Sequence, residues 1–408
     1  MYRQHFPEAP GMHNMQDQHP TGTTRTTFRR QPTFGERVKN GLVAFLAGLA
    51  LLATASYLLF WNEGRAVKTS KSLHEGINLV RNFQSFEVAF KENNGKLIYV
   101  HGPLRADKAV HDAEYDITVN AIKLKRHVEM YQWVEIESKR EFEEDGQTRV
   151  ETSYSYTQKW SSELTSSSSF HNPNGHHNPQ SFPVTSKEDI AANPRVGNFH
   201  LSVGLTEKIS DFQKFFPKSA PANKEVILHD GDFYHGINPL RPQIGDLKVT
   251  FSYAGLTDDS EKADTVSVIA RQMGTNLLSY QTTIDGYDIE LLYMGEHTPQ
   301  EIFDKQLAHN TLVTWAFRFG GWLMMFIGFG CLTNIVTTLV DWIPILRDII
   351  VLGVNMMNVC LSISLSLTII SISWIMYRPM IGMTILMIGI SPFVWSRRRV
   401  NQSRYRSV

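Results

Sequence analysis

From Gly41 to Trp61 the chain runs for 21 residues without a charge, "GLVAFLAGLALLATASYLLFW". Three more uncharged runs follow near the other end: Phe319 to Val340 (22 residues), Ile349 to Tyr377 (29) and Pro379 to Ser396 (18). A hydrocarbon core about 30 Å thick needs roughly 20 helical residues. Helices buried in a soluble core are seldom so long and so free of charge, so these runs predict membrane spans near 41–61, 319–340, 349–371 and 374–395. Only Arg378-Pro379 parts the last two, which suits a tight helical hairpin. Arg378 then either snorkels from the start of the fourth helix or sits in the turn.

Basic residues beside the spans predict orientation. Arg25, Arg29, Arg30, Arg37 and Lys39 precede the first span, and Arg397, Arg398, Arg399, Arg404 and Arg406 follow the last. Four spans place both termini on one side, so both are expected to be cytosolic or nucleoplasmic, with 62–318 in the lumen. Residues 1–40 and 396–408 form basic tails, and 341–348 a short cytosolic turn. The first span reads as a signal anchor that stays in place. Residues 1–33 carry almost no aliphatic side chains and are expected to be disordered, their arginines serving as a topology signal.

Lysine plus arginine equals aspartate plus glutamate at 40 each, so net charge argues for no polyanionic partner, and no nucleic acid is expected. The two cysteines, Cys331 and Cys360, both fall inside spans. The lumenal part therefore has no disulfide and must be held by packing. It also lacks a glycosylation sequon, since Asn401 sits in the tail. That combination fits an endoplasmic reticulum or nuclear-envelope resident.

Past the first span, "NEGRAVKTSKSLHEGINLV" reads as a helix continuing out of the membrane. From Lys96 the pattern changes to period two. "KLIYVHG", "EYDITVNAIKL", "DLKVTFSYAGL", "DTVSVIARQ" and "YDIELLYMG" are short β-branched and aromatic strands. In "KLKRHVEMYQWVEIES", Leu124, Val128, Met130, Val134 and Ile136 share a face that Arg126 and Gln132 interrupt. The strand runs to Asp145-Gly146, a two-residue hairpin signal, and "TRVETSYSYTQKW" returns. "SKEDIAAN" and "TEKISDFQKFF" predict short helices. "TPQE" at 298–301 predicts a capping box with proline at the first helical position. The fold class expected is a multipass α-helical membrane protein of four spans, with a large β-rich α+β lumenal domain between spans 1 and 2.

Chemistry-bearing residues are few. His171, His176 and His177 lie in a Ser/Asn/Pro/His loop without cysteine or metal-ligand spacing. In "HDGDFYHG", His229 and His235 flank aspartates that a turn explains, and His127 shares a strand face with Glu129. No catalytic motif is recognisable, so no enzyme, cofactor or metal is expected. The exposed strand face carrying His127, Tyr131 and Trp133 is the candidate contact surface. In the third span, Ser362, Ser366 and Ser373 lie on one side. Ser364, Thr368 and Ser371 lie roughly opposite and are the candidates for close helix packing or for lining a narrow polar path. Asp341, Trp342, Arg347 and Asp348 are placed at the interfacial turn.

"NEGRAVKTSKSLHEG", "KLKRHVEMYQWVE", "EDGQ", "GDLKVTFSYAGL", "VSVIARQ", "LVDWIPILRD" and "WIMYRP" together resemble the transmembrane protein 43 family, also called LUMA, from about Phe34 to Val400. Residues 1–33 and the loop around 161–185 diverge, although "GHHNP" keeps part of the pattern. The resemblance implies a resident of the endoplasmic reticulum and inner nuclear membrane that self-associates. It also implies help in organising nuclear-envelope complexes that include emerin and lamins. A non-enzymatic scaffold embedded in the bilayer is the leading expectation. The alternatives are an ion channel or channel modulator using the polar residues of span 3, and a lumenal metal-dependent enzyme.

Overall fold

The computed structural model describes residues 23–30, 33–82, 87–144, 147–222, 224–257, 263–283, 287–340, 344–380 and 384. Its helices are α1 (Phe34–Leu79), α2 (Val203–Glu207), α3 (Pro299–Val340) and α4 (Pro344–Tyr377). By length and hydropathy, α1, α3 and α4 are three candidate spans. The chain divides into two compact units, one of 32–124, 188–214 and 252–408, the other of 1–31, 125–187 and 215–251.

In the first unit, α1 and α3 run through the candidate membrane segments and onward into a β core. Thr33 starts α1 with a capping box, its hydroxyl bonded to the Glu36 amide and Glu36 returning to the Thr33 amide. The expected box at Thr298 and Glu301 is also present. At the far end of α1, Leu73 packs with Leu97, Tyr99, Ile269, Ile289, Ile302 and Phe303. The strands behind them form a seven-stranded sheet. Pairing of Thr265–Met273 with Leu97–Arg105 closes five of those strands into a ring. Its strands bury both faces. Ile98, Val100, Val266, Val268 and Ala270 point to a cluster with Phe199 and Leu205, while Leu97, Tyr99 and Ile269 face the helices. That two-sided burial blurs the alternation expected of a half-buried strand.

The second unit is built on the hairpin of Ala121–Glu144 and Gln147–Ser161, whose last pair is Glu144 with Gln147. The intervening Asp145-Gly146 lies outside the described residues, but the two-residue connection is as expected. Leu247–Leu256, Asp232–His235 and Ile227–His229 extend the sheet on the other side. Asp230 and Gly231 both have positive φ, 50° and 78°, which fits the primed turn of a tight hairpin. Arg126 and Gln132 are not breaks in the buried face. Both are buried and satisfied, Arg126 Nε donating to the Thr185 carbonyl at 3.0 Å and Gln132 Nε2 to that of Glu163 at 3.0 Å. Beyond Glu135 the outgoing strand is exposed, with Ile136 at 51%, while Thr152 and Tyr156 on the return strand stay buried.

Several expectations are corrected. "SKEDIAAN" forms a strand at Lys187–Ile190, and "TEKISDFQKFF" contributes only the end of α2 and the strand Gln213–Lys214. These segments find backbone partners on Ala121–Glu144 and Leu247–Leu256 respectively, and pairing overrides weak helix propensity. Helix α4 runs unbroken to Tyr377, so the helix break lies at Arg378-Pro379 and not at 371–374. A fourth span cannot begin at 374, and most of its remaining length lies outside the described residues. The four-span count is thus not reached here.

Residues 1–33 were expected to be disordered, yet Thr23–Arg30 is a strand paired along its whole length with Gln147–Tyr154. The β-branched threonines of "TTRTTFRR" suit an extended edge. Hydrogen-bonded strands share one aqueous phase, whereas a single crossing by Gly41–Trp61 would separate these two. The magnitudes favour the crossing. All eight residues of the strand are exposed and bury no side chain. The span offers Leu42, Val43, Phe45, Leu46 and Leu49, also exposed, each worth about 1.5–3 kcal/mol on leaving water.

Candidate functional site

Helix α1 carries three polar residues just past its apolar run, Asn62, Glu63 and Arg65, and α3 presents Asn310, Thr314 and Arg318 at intervals of one turn. Antiparallel packing brings the two sets face to face. Glu63 is only 2% exposed. Its carboxylate accepts Arg318 Nε at 2.6 Å and Nη2 at 2.9 Å, and from α4 it accepts the Trp374 indole N–H at 2.8 Å. A buried carboxylate is costly unless its lone pairs are matched; here three charge-assisted donors match it. The Arg318 guanidinium also lies over the rings of Trp315 and Trp374, 4.8 and 5.7 Å from their centroids.

One turn further along, Asn62 Nδ2 donates to the Thr314 carbonyl at 3.1 Å. Arg65 donates to Asn310 Oδ1 and Asn62 Oδ1, both at 3.1 Å, and Asn310 Nδ2 to the Ala66 carbonyl at 3.0 Å. Tyr377 closes the third side because Gly64 leaves it room: a Cβ there would sit 2.6 Å from the Tyr377 ring. A polar pocket of about 250 Å³ opens beside this knot, between Glu63, Asn310, Thr311, Arg318 and Arg378. The charges of this clamp escaped the sequence reading, although Glu63 and Arg318 abut uncharged runs, and ionisable residues at such places call for a named partner.

Within the spans, packing rests on small residues. A Cβ on Gly48 would lie 2.7 Å from the Gly328 carbonyl oxygen, so the two backbones touch. Asn358 is buried in α4 and donates to Thr333 Oγ1 of α3 at 2.8 Å. Of the hydroxyls on α4, Ser362, Ser366 and Ser373 are the buried ones. Ser366 reaches the Met325 sulfur at 3.2 Å. Ser364, Thr368 and Ser371, the expected packing residues, are exposed among the described residues. Asn358 sets this rotation: it lies four residues before Ser362 and eight before Ser366, on one helical stripe. Asp341 and Trp342 lie outside the described residues, while Arg347 and Asp348 fall in the first turns of α4 and not in a turn before it.

On the hairpin, the face of His127, Tyr131 and Trp133 is half-buried, not a bare contact surface. Asn178, from the Ser/His-rich loop, clamps the Trp133 backbone, accepting from its amide at 2.8 Å and donating to its carbonyl at 2.9 Å. The Trp133 ring meets His176 edge-on at 4.7 Å, and Tyr131 packs against Trp160 at 5.2 Å. His176 stacks on Tyr156 at 3.9 Å and His171 on Tyr154 at 4.1 Å, so these two loop histidines serve as ring partners. Glu135 binds both the Tyr156 hydroxyl at 2.7 Å and the His171 amide at 2.6 Å. Burial, and then that carboxylate, push the Tyr156 phenol above its ordinary value. Glu129 pairs with Lys248 at 2.6 Å.

Residues 130–379 match the family model described as Transmembrane protein 43. The chain is 40% identical to Transmembrane protein 43 of Homo sapiens over 374 residues, covering 91% of this chain and 93% of the relative. It is 39% identical to that of Mus musculus, covering 92% and 95%. To the Transmembrane protein 43 homolog of Drosophila melanogaster it is 32% identical, covering 87% and 94%. No solved structure matches it.

Proposed function

The chain belongs to the transmembrane protein 43 family, and from that premise we propose a non-enzymatic scaffold of the endoplasmic reticulum and inner nuclear membrane. It self-associates in the bilayer and helps to hold nuclear-envelope complexes that include emerin and lamins. Both termini face the cytosol or nucleoplasm, as the basic residues flanking the first and last uncharged runs favour. A fourth crossing by the run from Pro379 to Ser396 completes that arrangement.

The observation carrying this reading is the clamp. Helices α1 and α3 continue without a break from the spans into the β core, and Glu63, Arg318 and Trp374 tie all three described spans together where they leave the apolar region. Such a joint makes a stiff stalk, which suits a holder of partners. The outward hydroxyls Ser364, Thr368 and Ser371 suit helix packing between copies. The conducting alternative gains no support from the buried hydroxyls, since Ser366 and Ser373 donate to carbonyls of their own helix.

Two differently tagged full-length copies, co-expressed and purified from nuclear membranes in mild detergent, test the proposal. Recovery of the second copy with emerin and lamin is the expected result, and S364L/T368L/S371L should lower copy-to-copy recovery. A chain absent from the nuclear envelope, or recovered without any of the three, overturns the proposal.

A further inference from the structure

An apolar groove of about 400 Å³ runs down the outside of α3 and α4, walled by Trp315, Phe319, Trp322, Ile363, Leu367 and Trp374. That volume lies within the range of ligand sites, about 300–1,000 Å³. Its walls are accessible, Trp315 being 63% and Phe319 62% exposed. The groove is not closed at its head. Trp315, Arg318 and Trp374 line both it and the polar pocket of about 250 Å³ that also holds Glu63 and Arg378. Apolar slot and polar pocket thus adjoin at these three residues, at the end of the spans from which α1 and α3 run on into the β core.

The charges at the head are unbalanced. Glu63 is matched by Arg318. Arg378 is exposed and forms no ion pair among the described residues, and around Tyr377 a second pocket is lined by Arg65 and Lys68. Arg318, Arg378, Arg65 and Lys68 therefore line these two pockets, and the one carboxylate among their lining residues, Glu63, is already paired. A compact anion on an apolar tail complements such a site, the tail lying along the tryptophans and the anion meeting guanidinium groups.

We propose that this groove binds one anionic phospholipid, its acyl chain between α3 and α4 and its phosphate at Arg378. A bound lipid of this kind extends the clamp outward and makes the stalk sensitive to leaflet composition, which lies beyond the scaffold reading.

Full-length protein in detergent, analysed by native mass spectrometry against phosphatidylserine and phosphatidylcholine, tests it. Photoreactive analogues of both lipids locate the adducts. Phosphatidylserine should be retained about tenfold more strongly than phosphatidylcholine, with adducts on peptides of 315–322 and 363–374. Arg378→Gln should abolish that preference without lowering the melting temperature. Leu367→Trp, which fills the slot, should reduce retention of both lipids. Equal retention of the two, a preference unchanged in Arg378→Gln, or adducts mapping elsewhere overturns the proposal. So does full competition by glycerophosphoserine or inorganic phosphate, which would mark a site for soluble phosphate and not for lipid.

Discussion

Arg318 holds Glu63 with two parallel hydrogen bonds, at 2.6 and 2.9 Å, across 255 residues of sequence. The pair joins the end of the first uncharged run to the start of the second. Removing one member strands the other in a site 2% or 17% exposed. Arg318→Gln should cost about 3 kcal/mol, read by thermal unfolding in detergent. Glu63→Gln combined with Arg318→Gln should cost clearly less than the sum of the single changes; strict additivity would mean that the two groups do not interact.

Trp374 contributes an indole N–H at 2.8 Å to the same carboxylate. Trp374→Phe keeps most of the ring and deletes the donor. The expected loss is about 1.5 kcal/mol, and it should vanish in a Glu63→Gln background. An equal loss in both backgrounds would assign the effect to packing.

Gly48 is required by a backbone and not by a turn. Its missing Cβ leaves room for the Gly328 carbonyl oxygen, an atom that cannot swing aside. Gly48→Ala should therefore push α1 and α3 apart and lower stability by about 1–3 kcal/mol. Gly320→Ala, where nothing lies within 4 Å, serves as the control and should be nearly neutral.

Tyr234 is buried and hydrogen-bonded to the Asp246 carboxylate. Burial first, then that neighbour, raise its phenol above the ordinary tyrosine range. A raised folded-state pKa gives stability that is fully present below about pH 10 and is lost as pH rises from there toward the folded value. Tyr234→Phe should cost about 1 kcal/mol at neutral pH and flatten the alkaline decline. Unfolding midpoints from pH 8 to 11 would show both effects; an unchanged slope would place the titration elsewhere.

Thr27 pairs with Val150, so T27C/V150C in a background without Cys331 and Cys360 reports on membrane topology. With Gly41–Trp61 across the bilayer, the two cysteines lie in different aqueous phases and no disulfide should form in sealed microsomes. Efficient cross-linking there would show that the pairing persists and that this segment does not cross once.

Local signals were legible where local physics decides. The capping box at Thr298, the hairpin closing between Glu144 and Gln147 and the long apolar helices each follow from a few neighbouring residues. Arg126 and Gln132 were misjudged because a polar residue on a buried face looks like an interruption until its partners, the carbonyls of Thr185 and Glu163, are in place. Which hydroxyl stripe of α4 turns inward was illegible for a related reason: the two stripes are equivalent in sequence, and only Asn358 meeting Thr333 buries Ser362, Ser366 and Ser373 within the chain.

By itself, then, the sequence determined what must leave water and what must alternate: the uncharged runs, the period-two strands, the caps and turns, and membership of a family through its motifs. These depend on each residue's own chemistry and its near neighbours. The tertiary structure decided which polar groups meet. Glu63, Arg318 and Trp374 become one site only when three helices pack, and Trp133 becomes half-buried only when the loop brings Asn178 to its backbone and His176 to its ring. Matching a buried donor to an acceptor is a long-range condition, and no local pattern records it.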